Sequence, residues 1–156
     1  MGTEIERKFL IEDVAAAVAR SDRSERIEQA YVAVDPIGVE VRVRRRGAVT
    51  VLTVKRGAGL RREEVELAIA EAEFERLWAL AADRRISKRR HYVEEAGVTI
   101  ELDVYDGELE GLAVAEVEFG SEASARDWEP PGWFGRELTG DVRYSNAALA
   151  RDGAPG

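Results

Sequence analysis

Apolar and polar residues alternate with a period of two along most of the chain, a pattern typical of strands with one buried face. We predict strands at 4–11, 29–34, 39–46, 50–55, 63–69, 88–93, 98–105 and 114–119. The links at 46–48 and 95–97 are short and rich in turn-forming residues, which predicts hairpins. The sheet should therefore be mainly antiparallel.

Helical periodicity is confined to a few segments between the strands. Phe74, Leu77, Trp78 and Ala81 recur at the three-and-four spacing of one helical face. We predict helices at 13–20, 70–82, 121–128 and 145–151. The prolines within 128–133 indicate a rigid connector, and 152–156 should be a frayed tail. The three tryptophans are interpreted as packing residues rather than base-stacking platforms.

Composition restricts the kinds of protein that this chain can be. With 156 residues and 45% hydrophobic content, residues 1–156 can form a single domain with its own core. Cysteine is absent, which excludes thiolate chemistry and fits a cytoplasmic location. His91 is the one histidine, so neither a Ser-His-Asp triad nor a histidine metal cage is expected, and His91 is interpreted as a strand-surface residue.

Charge and hydropathy exclude two further classes of partner. The net charge of -8 argues against a broad nucleic-acid interface, since such proteins usually carry a basic face. No stretch approaches the roughly 20 apolar residues of a membrane span, and the N-terminus lacks a signal-peptide pattern. Any bound anion must then meet a local concentration of Lys and Arg.

Charged residues two apart on a strand share a face, and here they form rows of one sign. The acidic rows are Glu4 with Glu6, Glu64 with Glu66, Glu101 with Asp103 and Glu116 with Glu118, and the basic positions are Lys8, Arg42 with Arg44, Lys55, and Lys88 with Arg90. Any single pair is best interpreted as a solvated outer face. Together the rows favour a ligand, because like charges side by side repel each other and an unselected face would mix signs.

The two kinds of row suit two parts of one ligand. Arg and Lys bind anionic oxygens, whereas clustered carboxylates bind hard divalent cations, so a metal-bound polyphosphate would use both. Oxygen ligands without histidine favour Mg²⁺ or Mn²⁺ over zinc. A closed barrel of about eight strands would enclose these rows in a lumen, with helices covering its apolar outer face.

The segment Glu4-Ile5-Glu6-Arg7-Lys8 resembles the ExExK signature of the CYTH domain family, also called triphosphate tunnel metalloenzymes. The resemblance continues in order through Gln29-x-Tyr31, Val41-Arg42-Val43-Arg44, Leu52-Thr53-Val54-Lys55, Arg62-x-Glu64-Val65-Glu66, Lys88-x-Arg90, Glu101-x-Asp103-x-Tyr105-x-Gly107, Gly111-Leu112, Ala115-Glu116-Val117-Glu118, Trp133-Phe134-Gly135-x-Glu137 and Arg143-Tyr144-x-Asn146. It implies an α+β, mainly β fold, a closed eight-stranded antiparallel tunnel with a few flanking helices. It also implies metal-dependent hydrolysis of inorganic triphosphate or a related triphosphate, and possible homodimers.

The resemblance also implies roles for individual residues. The expected metal ligands are Glu4, Glu6, Glu116 and Glu118, with Glu64, Glu66, Glu101 and Asp103 supporting them or holding a second ion. The expected phosphate contacts are Lys8, Arg42, Arg44, Lys55, Lys88 and Arg90, with Arg62 and Arg143 as weaker candidates that can instead form structural ion pairs. Lys8 or Tyr31 could accept the proton of a metal-polarised water attacking in line, or a solvated metal hydroxide could suffice without either. Arg89 and His91 depart from the family pattern, which should alter the flank of the tunnel only.

Three alternatives to an inorganic triphosphatase stay open at this point. A class IV type adenylate cyclase would bind ATP in the same tunnel, although nothing in the sequence marks a purine pocket. A thiamine triphosphatase would need an aromatic site at a tunnel mouth, for which Tyr105 or a tryptophan could serve. A non-catalytic polyphosphate or nucleotide-binding module would use the same cations but would gain little from so many carboxylates.

Overall fold

The barrel is the dominant feature of the computed structural model, which describes residues 2–58, 61–95 and 97–156. Its strands within those residues are β1 (Gly2–Leu10), β2 (Arg23–Val34), β3 (Val39–Arg46), β4 (Val49–Ala58), β5 (Arg61–Ala68), β6 (Arg85–Glu95), β7 (Val98–Tyr105) and β8 (Ala113–Glu118). They close in the order β1-β5-β4-β3-β2-β6-β7-β8, and each ladder between neighbours is antiparallel. The predicted closed eight-stranded antiparallel barrel is confirmed.

Strand β2 differs most from its prediction, because it begins six residues earlier, at Arg23 instead of Gln29. Residues 23–26 are all polar or charged and carry no apolar alternation. Pairing sets their conformation instead, since residues 23–30 form a ladder with β6 while residues 27–34 pair with β3. Tertiary pairing therefore overrides a weak local pattern. The hairpin predicted at 95–97 includes Ala96, which lies outside the described residues.

Within the described ranges, four α-helices lie where the sequence predicts them. They are α1 (Val14–Val18), α2 (Glu71–Leu80), α3 (Glu122–Asp127) and α4 (Asn146–Asp152), and 3-10 turns occur at Gly107–Leu109 and Val142–Tyr144. Asp13, Ser121 and Ser145 precede helices as N-caps, each accepting a hydrogen bond from a backbone N–H two or three residues into the helix. Helix α4 extends to Asp152, so the first residue of the predicted frayed tail is helical.

Apolar side chains on the outside of the barrel are covered by helices and by the C-terminal segment. Phe74 and Ala81 of the α2 region pack on Ala30 and Val43, which confirms the predicted helical face. A second cluster on β6, β7 and β8 packs against α1 and against Trp128, Trp133 and Phe134. The tryptophans are packing residues, as predicted.

One end of the lumen is filled by an apolar cluster. Leu149 of α4 packs with Tyr31, Tyr105 and Val114, whose side chains point into the barrel. This packing leaves the charged cavity in the rest of the lumen. Among the described residues, no helix is long and apolar enough to cross a membrane.

Candidate functional site

A cavity of about 170 Å³ lies inside the barrel, and every described residue that lines it is polar or charged. Predicted site residues account for most of its wall: Glu4, Glu6, Lys8, Tyr31, Arg42, Arg44, Lys55, Arg62, Glu64, Glu66, Arg90, Glu101, Glu116 and Glu118. The structure thus brings together carboxylates and cations from strands that are distant in sequence.

The strand order divides the cavity into two walls of opposite charge. Neighbouring strands β7, β8, β1 and β5 carry the described lining carboxylates except Glu40 of β3, and although Lys8 and Arg62 lie among them they form a mainly acidic wall. Strands β4, β3 and β6 carry Lys55, Arg42, Arg44 and Arg90 and form a basic wall, with β2 between β3 and β6. A ligand in the cavity is therefore exposed to both signs of charge at once.

Most of the cations in the cavity are paired with carboxylates. Lys55 Nζ lies 3.2 Å from Glu4 Oε1, at the seam between the two walls. Lys8 Nζ lies 3.3 Å from Glu116 Oε1 and also donates to the Tyr144 carbonyl at 3.1 Å. Arg62 pairs with Glu40. These pairs offset the cost of removing each charge from water.

Arg42 and Arg44 have no carboxylate within 4.0 Å among the described residues. Arg42 is 5% exposed, and its Nε and the hydroxyl of its cross-strand neighbour Thr53 are buried without a hydrogen-bond partner in the described structure. Burial, followed by Arg42 and Arg90, lowers the pKa of Arg44 to about 9, which still leaves it charged at neutral pH. Arg42 and Arg44 of strand β3 are therefore well suited to bind an anion in the cavity.

Tyr31 lies on the cavity wall with its ring almost fully buried. Its hydroxyl oxygen accepts a hydrogen bond from Gln29 Nε2 at 2.7 Å. Burial is the largest cause that raises the pKa of this phenol to about 12. A proton acceptor must be deprotonated before it acts, so this environment favours Tyr31 as a hydrogen-bond donor over the predicted role of proton acceptor.

The acidic wall holds carboxylates that repel one another. Glu116, followed by burial, raises the pKa of Glu6 to about 8. Burial opposes ionisation of Glu116, but Lys8, Lys88 and Arg90 hold its pKa well below the ordinary value. Burial and a hydrogen bond with Glu4 likewise raise the pKa of Glu64. Closely spaced carboxylates whose pKa values are raised in this way are sites where a divalent cation would relieve repulsion.

These oxygen donors fit a hard divalent cation, although the described residues contain no group of three acidic or histidine side chains already close enough to hold one. Lys8 and Lys55 contact Glu116 and Glu4, two of the expected ligands. A metal bound by these two carboxylates would therefore compete with a lysine for them.

Lys88 and Asp103 do not line the cavity but lie buried behind its wall. Asp103 Oδ2 accepts from Lys88 Nζ at 2.7 Å, and Oδ1 accepts from Arg90 Nε at 2.7 Å. Burial is the largest cause that lowers the pKa of Lys88 to about 8. In this arrangement Asp103 holds both Lys88 and Arg90, and the phosphate-binding role of Lys88 and the metal-binding role of Asp103 stay predictions.

Arg143 also lies apart from the cavity. It is exposed, and its NH2 donates to Asp141 Oδ2 at 2.7 Å. Sequence analysis gave Arg143 two alternatives, a phosphate contact or a structural ion pair, and this contact is an ion pair of the second kind. It borders a larger cleft of about 760 Å³ beside α4, which adjoins the cavity and shares Glu6, Lys8, Glu40, Arg62 and Ser145 with its wall.

Four further residues line the cavity that sequence analysis did not assign. Glu40 and Arg46 belong to the same alternating row as Arg42 and Arg44, so extending that row in both directions would have found them. Ser145 and Asn146 come from the start of α4, which strand periodicity does not describe.

We predict that the metal-free protein loses stability as pH rises from about 4.5 to about 8, the interval between the ordinary and the raised pKa of Glu6. The folded state holds a proton there that the unfolded chain releases. Glu6→Gln should remove this dependence and be more stable than wild type at about pH 8, with a smaller difference near pH 5. Urea unfolding in EDTA at both pH values tests this, and a wild type that becomes more stable relative to Glu6→Gln as pH rises contradicts it.

Comparison with known proteins supports the resemblance stated above. A family model described as the CYTH domain matches residues 2–152. An inorganic triphosphatase of Nitrosomonas europaea is 41% identical over 149 residues, which covers 95% of this chain and 97% of that protein. An inorganic triphosphatase of Acetivibrio thermocellus is 36% identical over 155 residues, covering 97% and 96%. A crystal structure of an inorganic triphosphatase superposes with a TM-score of 0.71 at 38% identity, covering 100% and 99%. By its sequence, its barrel and its charged lumen, this chain belongs to the CYTH domain family.

Proposed function

We propose that this protein hydrolyses inorganic triphosphate with the help of a divalent cation, Mg²⁺ or Mn²⁺. The observation that carries the proposal is the pair Arg42 and Arg44, two cavity cations without carboxylate partners in the described structure, facing an acidic wall. Relatives named inorganic triphosphatases at 41% and 36% identity support the same activity.

The lining of the cavity favours an inorganic substrate over an organic triphosphate. Each of its described lining residues is polar or charged, so the cavity offers no apolar surface for a purine or a thiamine ring. A linear phosphate chain, by contrast, exposes only anionic oxygens. An organic triphosphate would have to place its ring in the adjoining cleft beside α4, where apolar residues are present, so the relatives named inorganic triphosphatases support the preference for an inorganic substrate.

The basic wall would bind and orient the phosphates. Arg42 and Arg44 can each donate two parallel hydrogen bonds to phosphate oxygens, and their charge offsets the charge that repels a nucleophile. Tyr31, which keeps its proton at neutral pH, can donate a further hydrogen bond to a phosphate oxygen. Lys8 acts as a cation rather than a proton acceptor, since it donates to the Tyr144 carbonyl and lies next to Glu116.

The acidic wall would hold the cation through carboxylate oxygens. The residues placed to do so are Glu4, Glu6, Glu64, Glu101, Glu116 and Glu118. When bound, the metal neutralises phosphate charge and polarises the attacking water. Glu66 lies exposed at the rim, where it can attract a metal ion to the cavity.

Exchange of ion-pair partners would link binding of the phosphate to binding of the metal. Lys55 and Lys8 are shared between the expected phosphate site and the carboxylates Glu4 and Glu116. Phosphate oxygens that attract these lysines would free the carboxylates for the metal. Triphosphate and metal should therefore bind more tightly together than separately.

We predict fast phosphate release from inorganic triphosphate with Mg²⁺ or Mn²⁺, much slower release from ATP and thiamine triphosphate, and none in EDTA. Arg42→Gln should lower kcat/KM roughly 100-fold or more, because it removes a preorganised donor to the reacting phosphate. Arg89→Gln is the matched control, since Arg89 is exposed outside the cavity beside Arg90, and it should act like wild type.

The same assay separates hydrolysis from mere binding. A wild type that binds triphosphate tightly but releases no phosphate with either metal would be a binding module, and the hydrolase proposal would fail. Equal losses in Arg42→Gln and Arg89→Gln would show that the cavity is not the reaction site.

We also predict that Lys55→Gln binds Mn²⁺ more tightly than Arg42→Gln does in the absence of phosphate, by roughly tenfold. Both substitutions remove one positive charge from the cavity, but only Lys55 contacts a carboxylate, Glu4, that the metal needs. Calorimetric titration of each variant with Mn²⁺ measures the difference. Equal affinities in the two variants would indicate a general charge effect and contradict partner exchange.

A further inference from the structure

We propose that Gln29 is a positioning residue, which orients Arg44 in the cavity with a neutral side chain and so leaves its positive charge for triphosphate. The inference rests on the proposed function. It states that the affinity of the basic wall for triphosphate depends in part on Gln29, which does not itself line the cavity. Gln29 is fully buried in β2, directly opposite Arg44 of β3 in the ladder.

The hydrogen bonds of Gln29 fix which way its amide points. Arg44 Nε is a donor only, so the amide oxygen must face it, and Gln29 Oε1 accepts from Arg44 Nε at 3.1 Å. The amide nitrogen consequently faces the Tyr31 hydroxyl, to which Gln29 Nε2 donates at 2.7 Å. A single buried amide therefore holds two residues of the cavity wall.

This arrangement leaves the phosphate-binding groups of both partners available. Because Tyr31 accepts the bond from Gln29, its own hydroxyl proton is not used in that bond and can be donated into the cavity. Because Gln29 engages only Nε of Arg44, the two terminal nitrogens of Arg44 are available to bind phosphate oxygens.

Arg90 provides an internal comparison, because its Nε is held in the same way by a carboxylate. Asp103 Oδ1 accepts from Arg90 Nε at 2.7 Å, and Oδ2 accepts from Arg90 NH2 at 2.9 Å. Although burial opposes it, Asp103 raises the pKa of Arg90 well above its ordinary value. Arg90 is therefore paired with carboxylates, Asp103 and, at 3.3 Å, Glu101, whereas Arg44 is anchored by a neutral amide.

Gln29→Glu tests this directly, since it keeps the size and shape of the side chain and adds one negative charge. The introduced carboxylate would pair with Arg44 and could accept a hydrogen bond from the Tyr31 hydroxyl. Binding of inorganic triphosphate should be measured by calorimetry in EDTA, where no metal supports turnover. We expect the affinity of Gln29→Glu to fall roughly 10- to 100-fold relative to wild type.

Gln29→Met is the second variant, because it fills similar space and removes both hydrogen bonds without adding charge. If Gln29 acts by remaining neutral, Gln29→Met should bind triphosphate more tightly than Gln29→Glu does. If Gln29 is merely structural, the isosteric Gln29→Glu should be the milder change. Gln29→Glu should also melt close to the wild-type temperature, because its ion pair with Arg44 offsets the cost of burying the carboxylate.

The outcomes separate this inference from the proposed function. Weak binding by Gln29→Glu, with Gln29→Met intermediate and the fold of Gln29→Glu intact, supports the inference. Wild-type affinity in Gln29→Glu, a weaker Gln29→Met, or an unfolded Gln29→Glu overturns it while leaving a triphosphate-binding wild type unaffected. A wild type that neither binds nor hydrolyses triphosphate overturns the proposed function, and the inference with it.

Discussion

Charged side chains of both signs are enclosed within a closed barrel, and their mutual balance is the constraint on which the rest of this structure depends. Removing a charge from water costs several kcal/mol unless a partner compensates for it. The strand order meets this requirement by placing the acidic strands β7, β8, β1 and β5 side by side and facing the cations of β4, β3 and β6. Ion pairs such as Lys55 with Glu4 then join the two walls.

The same constraint explains where apolar residues lie. Because the inside of the barrel is charged, the outward faces of the strands carry the core, and helices and the C-terminal segment must cover them. Arg7 helps to hold that segment, since its Nε and Nη2 donate to the Glu137 carboxylate and its Nη1 donates to the carbonyls of Ala125 and Trp128. At one end, α4 fills the lumen with apolar side chains, which confines the charged cavity to the remainder.

Among the described residues, some charged groups in the ligand-free cavity have no partner of opposite charge. Ligand binding would depend on these groups. Arg42 and Arg44 lack carboxylate partners in the described structure, while Glu6 retains a proton because Glu116 lies near it. Stability would improve if both were neutralised by substitution, so their presence indicates a site built for a ligand that supplies both charges. A triphosphate with its divalent cation carries both negative and positive charge.

Period-two alternation predicted the eight strands and the charged rows, because it reports which face of a strand each side chain takes. It does not report depth along the barrel axis, so it could not show that Lys88 and Asp103 pair with each other in a fully buried part of the barrel interior. A search for charge also passes over Gln29, whose relevance depends on cross-strand contact with Arg44. The division into two walls required the order β1-β5 and β1-β8, which no local pattern encodes.

The two-wall arrangement is tested most directly by a crystal structure of Glu116→Gln with inorganic triphosphate and Mn²⁺, using anomalous scattering to locate the metal. The account predicts manganese on the acidic wall among Glu4, Glu6 and Glu118, with phosphate oxygens in hydrogen-bond contact with Arg42 and Arg44. Triphosphate bound outside the lumen, or bound inside it without contact to either arginine, would contradict the account.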